Sequence, residues 1–105
     1  MEGRATISSD ILARYAADGA REVPGVAGLV ESHLPRHKGV RIAEEDGRFA
    51  IEIHLAVEWN ARIPEVGRAV QDAVTAYLGS MADLELTAVD VVVDEIKPPG
   101  GPELA

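Results

Sequence analysis

The chain contains no cysteine among its 105 residues. Disulfide bonds, thiol catalysis and cysteine-ligated metal are therefore excluded. No apolar run approaches the roughly 20 residues that a membrane-spanning helix needs. The N-terminal residues also lead into no apolar signal core. These absences make the cytoplasm the expected location, and any association with a membrane would then require a partner.

Basic residues are scarce relative to acidic ones. The sequence has 10 Lys and Arg against 18 Asp and Glu, which gives a formal net charge of -8. Such a charge repels phosphate backbones and anionic lipid, so general nucleic-acid binding and direct docking on a membrane are disfavoured. Hydrophobic residues make up 47% of the chain, which is typical of one globular domain and not of a disordered chain.

Apolar residues at helical spacing predict two helices. The first opens after Ser8, whose hydroxyl can accept a hydrogen bond from a free amide of the first turn. It ends at Pro24 and Gly25. The second opens at Ile63 and Pro64, because proline suits the first turn of a helix.

Four strands are predicted around these helices. The third is the clearest, since apolar residues alternate strictly with others from Phe49 to Glu58. An Asp-Gly turn at Asp46 and Gly47 precedes it. In the final strand the apolar phase shifts at Thr87, which predicts a bulge there. The predicted strands are Val26–His33, a strand that begins at Val40, Phe49–Glu58 and Leu84–Ile96.

The resulting order is α-β-β-β-α-β. It predicts an α+β fold, a two-layer sandwich with a mostly antiparallel sheet and both helices on one sheet face. The domain is expected to span residues 7–97, with a flexible leader at 1–6 and a flexible Pro/Gly tail at 98–105. The open sheet face would carry the alternate residues Ala50, Glu52, His54, Ala56 and Glu58.

Histidines and carboxylates offer one route to chemistry. Glu52, His54 and Glu58 share the open face, and a metal or catalytic site would need them to converge with an aspartate of the final strand. His33 and His37 are separated by a proline, so they do not form a helical ligand pair. Ordinary surface histidines are the favoured interpretation, and a small-ligand or metal-dependent enzyme stays an alternative.

Glycines and the single tryptophan raise two further questions. Gly25 and Gly28 lie between a helix and a strand, the reverse of the order used for phosphate binding. Their spacing also fits the loop of a KH-like RNA-binding module, but the surrounding elements and the net charge oppose that alternative. Trp59 either anchors the edge of the core or, if exposed, marks a contact site.

Six segments of the sequence form a pattern through their order and spacing. They are Ile7–Asp10, Glu22–Leu29, Gly39–Ile42, Val57–Asn60, Ile63–Val66 with Val70 and Gln71, and Val89–Val93. Together they resemble the alkaline shock protein family of bacterial cell-envelope stress proteins. The resemblance runs from Ile7 to about Lys97 and departs from the family in a short segment at Val30–Lys38 and in Asn60, which stands where the family usually has glycine.

The resemblance implies a non-enzymatic protein of envelope stress or homeostasis in Gram-positive-type bacteria. Relatives are cytosolic; some self-associate, and some are held at the inner face of the membrane by a small anchored partner. We therefore expect a protein-interaction or scaffold module without catalytic residues, cofactor, metal, nucleic-acid partner or direct membrane insertion. The expected contact residues are His54, Glu58, Trp59 and Asn60.

Overall fold

The computed structural model describes residues 7–30, 39–82 and 84–98. The predicted leader at 1–6 and residues 99–105 of the predicted tail lie outside this part, so the division into leader, domain and tail stays a prediction. The observed element order confirms the expected one. The elements are α1 Ser9–Arg21, β1 Val26–Leu29, β2 Val40–Glu45, β3 Arg48–Val57, α2 Ile63–Ala82 and β4 Glu85–Ile96.

The strand β3 is the centre of the sheet. It pairs antiparallel with β1 through Leu55 and Val57 and antiparallel with β2 from Arg48 to Ile53. Along its other edge it pairs parallel with β4 over its whole length. Because a strand has only two edges, β1 and β2 follow one another along the same edge of β3. The α2 helix is then the crossover that parallel β3 and β4 require.

Both helices cover one face of this sheet, which confirms the expected α+β sandwich. The Ser8 hydroxyl accepts a hydrogen bond of 3.2 Å from the Ile11 amide, so it caps α1 as predicted. Apolar residues of both helices meet the odd-numbered side chains of β3. The core comprises Leu12, Ala13, Ala16, Ala17, Ala20, Val23, Val40, Phe49, Ile51, Ile53, Leu55, Val57, Val66, Val70, Val74 and Leu78.

Turns and bulges set the register of the strands. Asp46 and Gly47 have φ angles of 55° and 80°, as the predicted Asp-Gly hairpin turn requires. The predicted bulge is confirmed at Thr87, where the β4 partners of β3 skip from Leu86 to Ala88. A second, unpredicted bulge lies at Asp94, where they skip from Val93 to Glu95.

The connection from α1 to β1 is set by backbone geometry. Gly25 has a φ of +97°, and a Cβ atom there would lie 2.8 Å from a methyl group of Val66. Only glycine fits such a position without strain. The strand β1 ends at Leu29, so the predicted extension to His33 was wrong at Val30, and residues 31–38 lie outside the described part.

Candidate functional site

The outer face of the sheet, which the helices leave uncovered, carries a histidine held by two carboxylates. His54 on β3 places its Nε2 atom 2.6 Å from Oε2 of Glu52 and its Nδ1 atom 2.7 Å from Oδ2 of Asp94. Glu52 lies two residues away on the same face of β3, as strand alternation dictates. Asp94 comes from the bulged position of β4.

The two short contacts favour the protonated form of the His54 imidazole ring. A carboxylate accepts hydrogen bonds, and both imidazole nitrogens donate only in the protonated form. Partial burial lowers the pKa of His54, but the hydrogen bonds to Glu52 and Asp94 and their negative charges outweigh it, so its pKa is raised above the ordinary value. In its protonated form the ring donates to both carboxylates and links β3 to β4.

These contacts belong to a longer row of charges across the sheet. Arg41 of β2 lies opposite Glu52, with 3.8 Å between the Nη1 and Oε1 atoms. The row thus runs from Arg41 through Glu52 and His54 to Asp94, and we call these four residues the charged row. It joins three strands across the outer face, where Glu52 and His54 are half-buried and Arg41 and Asp94 are exposed.

The charged row differs from the enzyme site that the sequence left open. Of the groups that this alternative required, Glu52, His54 and one aspartate of the final strand, Asp94, do meet. Glu58 does not join them, because it lies four residues beyond His54, about 13 Å along an extended strand. In the described ranges no group of three or more His, Cys, Asp or Glu residues could hold a metal ion. A shallow concavity lies instead at the hairpin end of the sheet. It is lined by Ala43, Glu44, Glu45, Asp46, Arg48, Ala50 and Thr87.

The opposite end of the sheet exposes large apolar side chains. Trp59 is 53% exposed, Ile96 47% and Ile63 39%. Trp59 follows the end of β3 by two residues, Ile96 pairs directly with Val57, and Ile63 begins α2. We call Trp59, Ile63 and Ile96 the end patch. With more than half of its surface exposed, Trp59 favours the contact-site interpretation over an anchor at the edge of the core.

The neighbours of Trp59 have backbone roles. The amide of Glu58 donates a hydrogen bond of 2.8 Å to the carbonyl of Gly25, which joins the start of β1 to the end of β3. Asn60 has a φ of +72°. This is the left-handed region, which glycine adopts freely and asparagine tolerates. The geometry accounts for asparagine at position 60, where the family resemblance predicted glycine.

Sequence reasoning located part of this arrangement. Of the expected contact residues, Glu58, Trp59 and Asn60 lie together at the end of β3, whereas His54 lies in the charged row. Ile63 and Ile96 were not among the expected contact residues, because no local pattern distinguishes an exposed isoleucine at the end of a sheet from a buried one. An aspartate of the final strand was expected near His54 only in the enzyme alternative, and the bulge in β4 selects Asp94 for that position. His33 and His37 lie outside the described residues.

Comparison with known proteins relates nearly the whole chain to a protein family. Residues 1–98 match the alkaline shock protein family, whose described function is related to the cell envelope. The chain belongs to this family. The resemblance in the sequence motifs is thus confirmed over nearly the full length.

A relative and several solved structures match as well. The chain is 26% identical over 108 residues to the uncharacterized protein Spy1614 of Streptococcus pyogenes, covering 91% of this chain and 89% of the relative. A doubly substituted MamM CTD matches with a TM-score of 0.66 at 15% identity, over 91% of this chain and 92% of that one. The manganese form of another MamM CTD variant matches with a TM-score of 0.57 at 15% identity, over 84% and 99%. At these identities the MamM domains share the fold.

Among the described segments, no helix is long and apolar enough to cross a bilayer. The family links the chain to the cell envelope. The exposed regions described above are the candidate surfaces for contact with other molecules.

Proposed function

We propose that this protein is a non-enzymatic interaction module of cell-envelope homeostasis, which acts through contacts with protein partners. One such partner is anchored in the membrane and holds the module at its inner face. The end patch is the principal contact surface, with Glu58 and Asn60 at its rim. The module also self-associates through surfaces outside the end patch.

The exposure of Trp59 is the observation that carries this proposal. Tryptophan is highly buried on average in folded proteins, yet here 53% of its surface is exposed. Two further large apolar side chains, Ile63 and Ile96, are exposed at the same end of the sheet. Aromatic residues surrounded by apolar neighbours supply much of the binding free energy in protein interfaces. A burial of this end against a partner would remove all three side chains from water.

The absence of catalysis is part of the proposal, and the chemistry of the charged row supports it. Both ring nitrogens of His54 are engaged by carboxylates, so the ring has no free nitrogen with which to serve as a base. The concavity at the hairpin end of the sheet does not include His54. Catalytic sites are typically concave and hold titratable groups that can reach a substrate.

The manganese and cadmium forms among the MamM domains raise the alternative of a metal function. A metal ion at His54 would have to displace a carboxylate from a short hydrogen bond. The described residues of this chain also contain no cluster suited to an ion. The proposed function therefore contains no metal.

The experiment compares two single substitutions in the native organism. Trp59→Ala removes the largest side chain of the end patch. Ile11→Ala is the matched control, because Ile11 is 43% exposed and lies on α1 about 15 Å before the helix end that leads toward the end patch. The fraction of protein that sediments with membranes is measured for both variants. We expect Trp59→Ala to lower this fraction several-fold and Ile11→Ala to leave it unchanged.

Thermal unfolding of both purified variants checks that the fold is intact. Equal membrane fractions for Trp59→Ala and the unsubstituted protein would contradict the proposal. So would a loss of the same size in Ile11→Ala, because that result would assign the association to general surface hydrophobicity.

A further inference from the structure

The outer edge of β4 carries unpaired backbone groups whose direction follows from the hydrogen bonds of β3. The amide of His54 donates to the carbonyl of Gly39, and its carbonyl accepts from Val30. The even residues of β3 thus bond toward β1 and β2, and the odd residues bond toward β4. Ile51 lies opposite Val89, so in a parallel ladder it bonds to the residues on either side of Val89.

The same alternation directs the amides and carbonyls of Val89, Val91 and Val93 away from β3, outward in the plane of the sheet. One of these groups has a partner: the side-chain amide of Gln71 on α2 donates a hydrogen bond of 3.1 Å to the carbonyl of Val89. Within the described segments, the outward amides and carbonyls of Val91 and Val93 form no hydrogen bond. Unpaired groups of this kind are a template for another strand.

The stretch of β4 that carries these unpaired backbone groups has defined ends. Bulges at Thr87 and Asp94 interrupt the regular ladder on either side, which leaves six regular residues, Ala88–Val93, between them. The opposite edge of the sheet is divided between β1, with 4 residues, and β2, with 6, whereas β4 has 12. The edge of β4 is therefore the longest continuous edge in the described sheet.

The side chains along this stretch define what can bind there. On the outer face, Asp90 and Glu95 are exposed and have no ion-pair partner in the described part of the chain, and Asp94 lies between them along β4. Val92, which is 36% exposed, lies between Asp90 and Asp94. On the helix-covered face the half-buried side chains are all valines. A second copy of this acidic chain would bring carboxylates beside carboxylates, which is unfavourable across a strand pair.

We propose that the edge of β4 from Asp90 to Asp94 binds an extended basic segment of a protein partner by strand addition. The segment has a basic residue at its first and fifth positions and three β-branched residues between them. The basic residues lie opposite Asp90 and the Asp94–Glu95 pair. This pattern reads the same in both directions, so it suits a parallel or an antiparallel strand. The inference rests on the proposed function as an interaction module and names the chemistry of one partner.

The probe is a capped peptide that contains Lys-Val-Thr-Val-Lys between flexible Gly-Ser ends. The control peptide has the same composition in the order Lys-Lys-Val-Thr-Val. Amide hydrogen exchange of the whole protein is followed by NMR with and without each peptide. We expect the probe to slow exchange at Val91 and Val93, whose amides are free, and to leave Val92 unchanged, because its amide already bonds to β3.

Two pairs of charge variants test the side-chain part of the proposal. Asp90→Asn and Glu95→Gln should each weaken peptide binding about 2–5-fold, the range typical of exposed charge pairs across strands. Glu44→Gln and Glu45→Gln on β2 change the net charge equally and should have no effect. These variants lie on exposed positions, so the fold is retained, and unchanged amide spectra verify it.

Several results would overturn the proposal. One is equal binding of both peptides, and another is amide exchange slowed equally at Val91, Val92 and Val93. A third is a loss of affinity in the β2 variants as large as that in the β4 variants, because it would indicate diffuse attraction between charges. The amides of Val91 and Val93 could also be protected without peptide, to a degree that grows with protein concentration. That result would assign the edge to a second copy of the chain and would overturn the proposal. If the edge fails while Trp59→Ala still lowers the membrane fraction, the proposed function stands without this partner.

Discussion

The two faces of β3 are built from one alternating sequence, yet they are held by different interactions. On the inner face, Ile51, Ile53 and Leu55 are at most 1% exposed and pack beneath both helices. On the outer face, Glu52 and His54 are half-buried and are held by ionic hydrogen bonds to other strands. The inner face stabilises the fold through burial of apolar area. The outer face contributes less to stability and responds to pH and salt.

The largest expected effect comes from the inner face. Ile53→Ala removes a fully buried side chain and should lower the free energy of unfolding by about 2–5 kcal/mol, from lost burial and the cavity that remains. Val92→Ala, at a 36% exposed position of the outer face, should cost about 0.5 kcal/mol or less. Urea unfolding at one pH measures both. Similar losses for the two variants would remove the distinction between the faces.

The second effect is a pH dependence confined to the outer face. Because the pKa of His54 is raised in the folded protein, its contribution to stability is fully present below the pKa of an unfolded histidine. It is lost as the pH rises through the higher folded pKa. His54→Gln should lower the free energy of unfolding by about 0.5–1 kcal/mol at a pH of about 5.5, an amount already reduced for exposure to solvent. The difference should fade by a pH of about 8.5.

Urea unfolding across that pH range measures the difference between the protein and the His54→Gln variant. The other two histidines are common to both chains and cancel in the comparison. Asp90→Asn is the control, because Asp90 lies on β4 without contact to His54, and it should leave the pH dependence unchanged. A difference that grows with rising pH would show that the linking ring is neutral and would contradict the account of the charged row.

The smallest effect is expected at the other end of the charged row. Arg41 is exposed, and its Nη1 atom lies 3.8 Å from the nearer Glu52 oxygen. Exposed ion pairs of this kind contribute about 0–1 kcal/mol. Arg41→Ala should therefore lower the free energy of unfolding by less than about 0.5 kcal/mol, and high salt should remove the difference. A loss above about 1 kcal/mol would mean that the charged row stabilises the sheet as one unit.

Much of the inner face could be predicted from the sequence because its pattern is local. Alternation from Phe49 to Val57 identifies both the strand and its buried side, and Asp46 with Gly47 identifies the turn before it. The shift of apolar phase at Thr87 was visible for the same reason. Each of these features depends on residues that are neighbours in the chain.

The outer face could be predicted only in part, because its contacts join residues that are distant in the chain. His54 and Asp94 are 40 positions apart, and their contact depends on the bulge that inserts Asp94 into β4. The sequence offered a choice among several acidic residues of that strand without a local signal to select one. Ile96 was predicted only as the end of the final strand, and its 47% exposure at the end of the sheet had no local signal.

The central claim is that the end patch around Trp59 contacts a membrane-associated protein. A photoreactive phenylalanine analogue at position 59 tests it in the native organism, with the same analogue at position 11 as the control. Illumination should link the protein to a component of the membrane fraction from position 59 and not from position 11. No cross-linked product from position 59, or the same product from both positions, would contradict the claim.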